Sequence, residues 1–118
     1  MGEINNILEC IKIPKIIKVK QKFNRDKIID VESEIKKQLE FGNFKQKIKK
    51  GRTVAITAGS RGIGSYEIIM KTIVNFVKEN GGIPFIVPAM GSHGGGNSKG
   101  QKLMLEKLGI TEESMGCE

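Results

Sequence analysis

The sequence is poor in aromatic side chains and in the residue types that bind metals or form disulfides. Aromatic residues make up 5% of the 118 residues, Trp is absent, and the chain has one His and two Cys. A surface on which nucleic-acid bases stack needs several aromatic side chains, so the composition argues against one. Cys10 and Cys117 lack the spacing of a metal or redox motif, and we interpret them as free thiols of a cytoplasmic protein.

Long apolar runs are also missing. No stretch is long enough to span a bilayer, and residues 1–14 lack the apolar region of a signal peptide, so we expect a cytoplasmic protein with no membrane partner. The length predicts a single α/β domain over residues 1–118, with a lead-in segment at 1–14 and the domain proper at 15–118. The run Ser114-Met115-Gly116-Cys117-Glu118 completes no predicted core element. We therefore expect the N-terminal fragment of a longer, two-domain protein.

Positive charge is present in excess. The net charge is +7, and most of the excess precedes residue 53. These lysines alternate with Ile and Val at strand spacing or lie in a loop, and no aromatic residues accompany them. A lysine-lined sheet edge that resists aggregation explains this pattern. We favour it over nucleic-acid binding by a basic scaffold, which stays as a third hypothesis.

The first fifty residues predict peripheral elements. Helical spacing of apolar residues predicts a short helix over residues 4–11. Alternation over Lys15–Phe23 predicts an edge strand with one solvated face. Asp30 can cap a helix whose inner stripe ends before Gly42, and Lys45–Gly51 is predicted to be a basic connector.

The remainder predicts a β-α-β-α unit. The runs Thr53–Ala58 and Ile83–Ala89 lack polar alternation, as expected of strands covered on both faces. Between them, Ser65 can cap a helix that ends at Asn80-Gly81-Gly82. A parallel, right-handed crossover follows from this order. The predicted fold is thus a three-layer, Rossmann-like α/β domain with a mostly parallel sheet and an N-terminal edge strand.

The last predicted helix follows the second buried strand. Ser98 and Gln101 have the spacing of a capping box, and Gly109 is the predicted stop. Four apolar residues are expected on the inner side of this helix: Leu103, Met104, Leu105 and Leu108.

Two glycine-rich turns, residues 57–64 and 90–96, follow the two predicted buried strands. In open α/β sheets the ligand crevice lies beyond the carboxyl ends of neighbouring strands, so Arg61 and His93 are expected to share one cleft. The Arg61 guanidinium suits a carboxylate or phosphate, and the imidazole of His93 suits general acid–base catalysis. No second His or carboxylate cluster accompanies His93, so no metal ligand is predicted. Backbone donors and hydroxyls that shape this cleft are expected from Gly59, Ser60, Ser92 and Gly94.

The segment Val54–Gly64 resembles the nucleotide turn of short-chain dehydrogenases, Thr-Gly-x-x-x-Gly-Ile-Gly. In such a turn, N–H groups at a helix N-terminus hold a pyrophosphate. Here Ala58 replaces the first glycine, and the second strand ends in Ala89-Met90-Gly91 without an acidic residue for a ribose. A nucleotide- or phosphate-binding, Rossmann-like module that uses the same turns without chemistry stays open as an alternative.

A second resemblance covers more of the chain. The segments Ala58-Gly59-Ser60-Arg61-Gly62-Ile63, Pro88-Ala89-Met90-Gly91-Ser92-His93-Gly94-Gly95, Gly100-Gln101 and Leu108-Gly109-Ile110-Thr111 resemble the N-terminal domain of the nickel-dependent lactate racemase family. The resemblance implies a two-domain enzyme that racemises or epimerises a 2-hydroxy acid. Its cofactor is a nickel pincer nucleotide, tethered to a lysine, that accepts the C2 hydride.

Under this resemblance, His93 falls on an acid–base histidine, and Arg61 lies near the substrate carboxylate or the cofactor phosphate. Ala58 and Gly62 stand where lactate racemase has Asp and Pro, and Gly94 stands where it has Arg, which indicates a divergent branch. The cofactor lysine, the nickel histidine and the second acid–base histidine would lie beyond Glu118. The isolated fragment is therefore expected to be inactive and to bind neither nickel nor cofactor tightly.

Overall fold

Helices alternate with two strands along most of the chain. The computed structural model describes residues 14–24 and 26–118, and the helix expected over residues 4–11 lies outside them. A turn at His93–Gly96, in which Gly94 and Gly95 have the positive φ values 63° and 75°, separates the second strand from the helix after it. The other elements are α1 (Val31–Phe41), α2 (Phe44–Lys47), β1 (Thr53–Ala58), α3 (Tyr66–Glu79), β2 (Ile83–Pro88), α4 (Ser98–Lys107) and α5 (Glu112–Met115).

The two strands form a parallel sheet in register. Thr53 lies opposite Ile83, and Ala58 lies opposite Pro88. Helix α3 connects the strands, so the predicted β-α-β order is confirmed. The mixed α/β class is confirmed as well. Within residues 14–24 and 26–118 the sheet has two strands, and the three-layer, Rossmann-like arrangement stays a prediction.

Helices cover one face of this sheet. Ile56 and Ala58 of β1 are buried, whereas Thr53, Ala55 and Thr57 are exposed. The prediction that both faces of β1 are covered is therefore wrong in the described part of the chain. The core on the covered face takes its other buried side chains from α3, α4, α5 and the adjoining loops: Met70, Val74, Val77, Met90, Leu105, Ile110 and Met115.

The strand predicted over Lys15–Phe23 is wrong. Residues 14–24 have no regular secondary structure, and the side chains of Ile16 and Val19 are 95% and 79% exposed. A strand is stabilised by backbone hydrogen bonds to a neighbour. No hydrogen bond between backbone groups joins residues 14–24 to another described residue. Alternation of side chains therefore did not suffice to form an edge strand.

Helix α1 begins and ends as predicted. The Asp30 carboxylate accepts a hydrogen bond from the Ser33 N–H at 3.0 Å, and the Gly42 N–H donates to the Gln38 carbonyl at 3.0 Å. The predicted connector Lys45–Gly51 is irregular only in part, because its first three residues belong to α2. The ammonium of Lys47 lies 4.7 Å from the centre of the Phe44 ring, a cation–π contact that stabilises this turn.

The predicted caps of α3 and α4 are wrong. Ser65 precedes α3 but has φ 54° and its side chain makes no capping hydrogen bond. Asn97 caps α4, since its side-chain oxygen accepts from the Gly100 N–H at 2.9 Å. Ser98 is the first residue inside α4, too late in the chain to act as its cap. Gly109 follows the end of α4 with φ 79°, as a helix stop does.

Helix α4 buries less than predicted. Leu105 is 5% exposed and Met104 is half-buried, as expected of inner residues. Leu103 and Leu108 are 51% and 37% exposed, so their predicted burial is wrong. The helix packs on the core through a narrow stripe because only one of its faces meets the sheet.

Helix α5 was not predicted. The Thr111 hydroxyl accepts from the Ser114 N–H, and the Ser114 hydroxyl accepts from the Thr111 N–H, both at 3.0 Å. This reciprocal capping box forms a short helix that buries Met115 completely. The expectation that these residues complete no core element is therefore wrong.

Candidate functional site

The two glycine-rich turns leave the same end of the sheet. Ala58 and Pro88 are register partners at the carboxyl ends of the parallel strands. The Ala89 N–H donates to the Ala58 carbonyl at 2.7 Å and extends the pairing by one residue. The turn that follows β1 is therefore adjacent to the turn that follows β2, as the sequence predicts.

Three predicted site residues meet at this end. Ser60 Oγ is hydrogen-bonded to Nδ1 of the His93 ring, and a terminal guanidinium nitrogen of Arg61 is hydrogen-bonded to Nε2. His93 is half-buried, whereas Arg61 is exposed. The structure thus brings together the anion-binding candidate and the acid–base candidate, with a hydroxyl on the far side of the ring.

The chemistry of the partners determines the proton positions on this ring. A guanidinium has donors and no acceptor, so Nε2 of His93 is the acceptor and carries no proton. The neutral ring then has its proton on Nδ1, which donates to Ser60 Oγ. Ser60 is an acceptor in this arrangement. The hydrogen bond to Ser60 therefore orients the His93 ring, and His93 does not activate Ser60 as a nucleophile.

Tyr66 supports the first turn and was missed from the sequence. Its hydroxyl donates to the Gly59 carbonyl at 3.2 Å. Burial raises the pKa of the Tyr66 hydroxyl, so the group stays a donor at neutral pH. Tyr66 is the single tyrosine of the chain and follows the turn directly, a signal that could have identified it.

The second turn is held by α4. Gln101 donates to the Gly91 carbonyl at 2.8 Å, and the Asn97 amide lies 3.4 Å from the carbonyl oxygens of both Gly94 and Gly95. The His93 N–H donates to the carbonyl of buried Met90 at 3.2 Å. These contacts fix the backbone that carries the imidazole.

The other predicted site residues, Gly59, Ser92 and Gly94, differ in their surroundings. Gly94 has φ 63°, and a Cβ there would lie 2.5 Å from the Gly100 carbonyl carbon, so Gly94 packs against α4. A Cβ on Gly59 would meet no atom within 4 Å, so the first turn is open. Ser92 is exposed, and its hydroxyl has no hydrogen-bond partner in residues 14–24 and 26–118. Ser92 and Gly94 flank His93 in the sequence, and neither is hydrogen-bonded to Ser60, Arg61 or the His93 ring.

Metal-binding side chains do not cluster in the described part of the chain. No cluster of three or more His, Cys, Asp or Glu side chains is placed there to hold a metal ion. The described residues therefore do not fit a nickel site of their own. None of the helices within residues 14–24 and 26–118 combines the length and apolar character needed to cross a membrane.

Comparisons with family models, with curated proteins and with solved structures find no match to this chain.

Proposed function

We propose that this chain supplies half of an acid–base site for a 2-hydroxy carboxylate, in a lactate-racemase-like racemase or epimerase. The contact of Arg61 with Nε2 of His93 carries the proposal. It puts a carboxylate-binding group and a proton acceptor within reach of one small molecule. The rest of the site would come from a second domain of the same polypeptide.

Arg61 is suited to bind the substrate carboxylate. Its guanidinium is exposed and forms no ion pair with a described carboxylate. A bound carboxylate would form two parallel charge-assisted hydrogen bonds with it. Because these bonds are stronger than a bond to neutral imidazole, the substrate draws Arg61 away from His93 and uncovers Nε2.

The uncovered Nε2 is then the base. It accepts the proton of the C2 hydroxyl while Nδ1–H stays hydrogen-bonded to Ser60 and holds the ring orientation. The hydride acceptor implied by the resemblance, a nickel pincer nucleotide, does not fit the described residues alone. Arg61, His93 and Ser60 would therefore bind and deprotonate the substrate, and the other domain would hold the cofactor.

The single histidine makes this proposal testable in the chain itself. The sequence contains one His, so its ring protons give an NMR signal that no other imidazole overlaps. Titration with lactate should shift that signal in the wild-type chain, and Arg61→Ala should weaken binding by at least tenfold. Arg52→Ala removes an exposed arginine outside the site and is the matched control. Equal lactate binding by wild type and Arg61→Ala would refute the carboxylate role of Arg61.

Turnover tests the base. In the protein that includes the second domain, His93→Ala should abolish racemisation and leave cofactor loading intact, because the variant removes a proton acceptor and no metal ligand. Loss of loading together with turnover would show instead that His93 serves the cofactor. Wild-type turnover would exclude His93 from the reaction.

A nucleotide- or phosphate-binding module is the second candidate. The observation in its favour is that the Ser65 side chain does not cap α3, whose first N–H groups remain available to an anion next to the open turn. Inorganic phosphate and AMP should then shift the backbone amides of Tyr66 and Glu67 more than lactate does. An unchanged spectrum with both phosphates would remove this candidate.

A further inference from the structure

A groove of about 500 Å³ lies between β2, α4 and α5, and neither Arg61 nor His93 lines it. Its apolar lining comes from β2, from α4 and from the loop that follows α4. Leu105 and Ile110 are buried core residues, and Cys117 lies half-buried beside them. The apolar lining residues are Ile86, Pro88, Leu105 and Ile110.

The rim of this groove is acidic. Four carboxylates line it, at Glu106, Glu112, Glu113 and Glu118, against one ammonium at Lys102. Lys102 pairs with Glu112 at 2.6 Å, and this contact holds the pKa of the Glu112 carboxyl below its usual range. The other three carboxylates form no ion pair with a described residue. An apolar floor with this rim fits an occupant that is both apolar and cationic.

The outer edge of β2 offers no free N–H to another strand. Ile83 and Ala89 donate toward the β1 side, so the alternate residues 84, 86 and 88 face the groove. Pro84 and Pro88 have no N–H. The Ile86 N–H already donates to the Glu118 backbone oxygen at 2.7 Å. A full ladder of backbone hydrogen bonds therefore cannot form on this edge, and the side chains of the groove carry the recognition.

The segment Lys15–Phe23 has the required composition. Its Ile17 and Phe23 side chains are 79% and 72% exposed, and no described element covers them. The segment carries four ammonium groups, on Lys15, Lys18, Lys20 and Lys22. Long lysine side chains can bend toward carboxylates while the neighbouring apolar residues pack on a floor.

We propose that Lys15–Phe23 of a second copy of this chain docks in the groove, and that two copies exchange these segments reciprocally. The copy described here leaves its own segment exposed and its own groove open, so neither surface is covered by residues 14–24 or 26–118 of the same molecule. A two-fold exchange satisfies both at once and forms a closed dimer. The inference is independent of the proposed racemase site.

A charge swap tests this exchange. The segment variant carries Lys18→Glu, Lys20→Glu and Lys22→Glu, so its acidic segment meets an acidic groove. The groove variant carries Glu106→Lys and Glu113→Lys, so its basic groove meets a basic segment. Each variant alone should be monomeric by light scattering, with its dimer dissociation constant raised at least tenfold over wild type. Their mixture should form a heterodimer, because each segment then meets a groove of opposite charge.

The matched control is Lys45→Glu with Lys47→Glu, exposed lysines outside both surfaces, which should dimerise as wild type does. Circular dichroism checks that all variants are folded. A wild-type chain that stays monomeric at all concentrations would overturn the proposal, as would variants that dimerise unchanged or a mixture that stays monomeric.

A disulfide cross-link distinguishes docking between two copies from docking within one copy. In a Cys10→Ser background, Val19→Cys places a thiol in the segment, and Cys117 lies in the groove. Oxidation should produce a covalent dimer that Cys117→Ser abolishes. A covalent link within a monomer would show that the segment occupies its own groove and would overturn the second-copy proposal.

Discussion

Arg61 and His93, 32 positions apart in the sequence, are hydrogen-bonded through the guanidinium and Nε2 of the imidazole. The contact exists because β1 and β2 are parallel and in register, which places the turns after them side by side. Ser60 occupies the other ring nitrogen. One ring is thus held between a cation and a hydroxyl, and the substrate-dependent release of the cation is the central step of the proposed chemistry.

Arg61 should determine the tautomer of His93. Arg61→Ala removes the cation that donates to Nε2, and the Ser60 hydroxyl can either accept from or donate to Nδ1, so the proton is no longer restricted to Nδ1. We expect the ¹⁵N shifts of the single imidazole to move toward a mixture of both neutral tautomers. Arg52→Ala removes an exposed arginine outside the site and should leave these shifts unchanged. Wild-type shifts in Arg61→Ala would contradict the assigned hydrogen bond.

Gly94 should tolerate no side chain. A residue with a Cβ pays about 1–2 kcal/mol for the left-handed backbone at φ 63°, and the contact with the Gly100 backbone adds to it. We expect Gly94→Ala to lower the free energy of unfolding by about 2–4 kcal/mol in urea titrations.

Gly91 is the matched control for this substitution. It has φ 58°, but a Cβ there would meet no atom within 4 Å. Gly91→Ala should therefore cost about 1–2 kcal/mol, the backbone contribution alone. Equal losses in the two variants would show that the contact between Gly94 and α4 does not limit the fold.

Met115 should contribute strongly to stability although it lies in a four-residue helix. Its side chain is 0% exposed, so Met115→Ala leaves a cavity and should cost about 2–5 kcal/mol of unfolding free energy. Leu103→Ala truncates a side chain that is 51% exposed and should cost less than about 1 kcal/mol. A small effect at Met115, measured in the same denaturant series, would mean that residues 111–117 do not belong to the core.

Cys117 should become reactive at higher pH than an exposed thiol. Burial raises the pKa of the Cys117 thiol, and Lys78 and Lys71 only partly oppose this shift. In a Cys10→Ser background, iodoacetamide should therefore modify the folded chain with a pH midpoint above that of the unfolded chain. Coincident midpoints would contradict the burial of this thiol.

The same shift predicts how stability changes with pH. The folded-state pKa lies above the unfolded value of about 8.5. The folded state thus holds the thiol proton more tightly than the unfolded state does. The protonated thiol contributes its full stabilisation below the unfolded-state pKa, and this contribution is lost as pH rises through the folded-state pKa. Cys117→Ser should remove this part of the decline in unfolding free energy between neutral and alkaline pH.

Sequence patterns predicted the parts of the fold that depend on neighbouring residues. The bounds of β1, β2, α1 and α3 follow from apolar runs that end at glycine or polar residues. The same patterns failed where a partner distant in sequence decides the outcome. Lys15–Phe23 alternates as a strand does, yet no neighbouring strand pairs with it among the described residues. The exposed face of β1 likewise depends on which layers pack against the sheet.

For the candidate site, the sequence alone determined that a guanidinium and an imidazole follow two consecutive strands, because the turns are local features. Only the tertiary structure decided which ring nitrogen each partner contacts, that Tyr66 holds the Gly59 carbonyl, and that Gly94 packs on α4. These contacts join residues from different elements, and their geometry depends on how the strands and helices pack. Residue spacing along the chain carries no record of that packing.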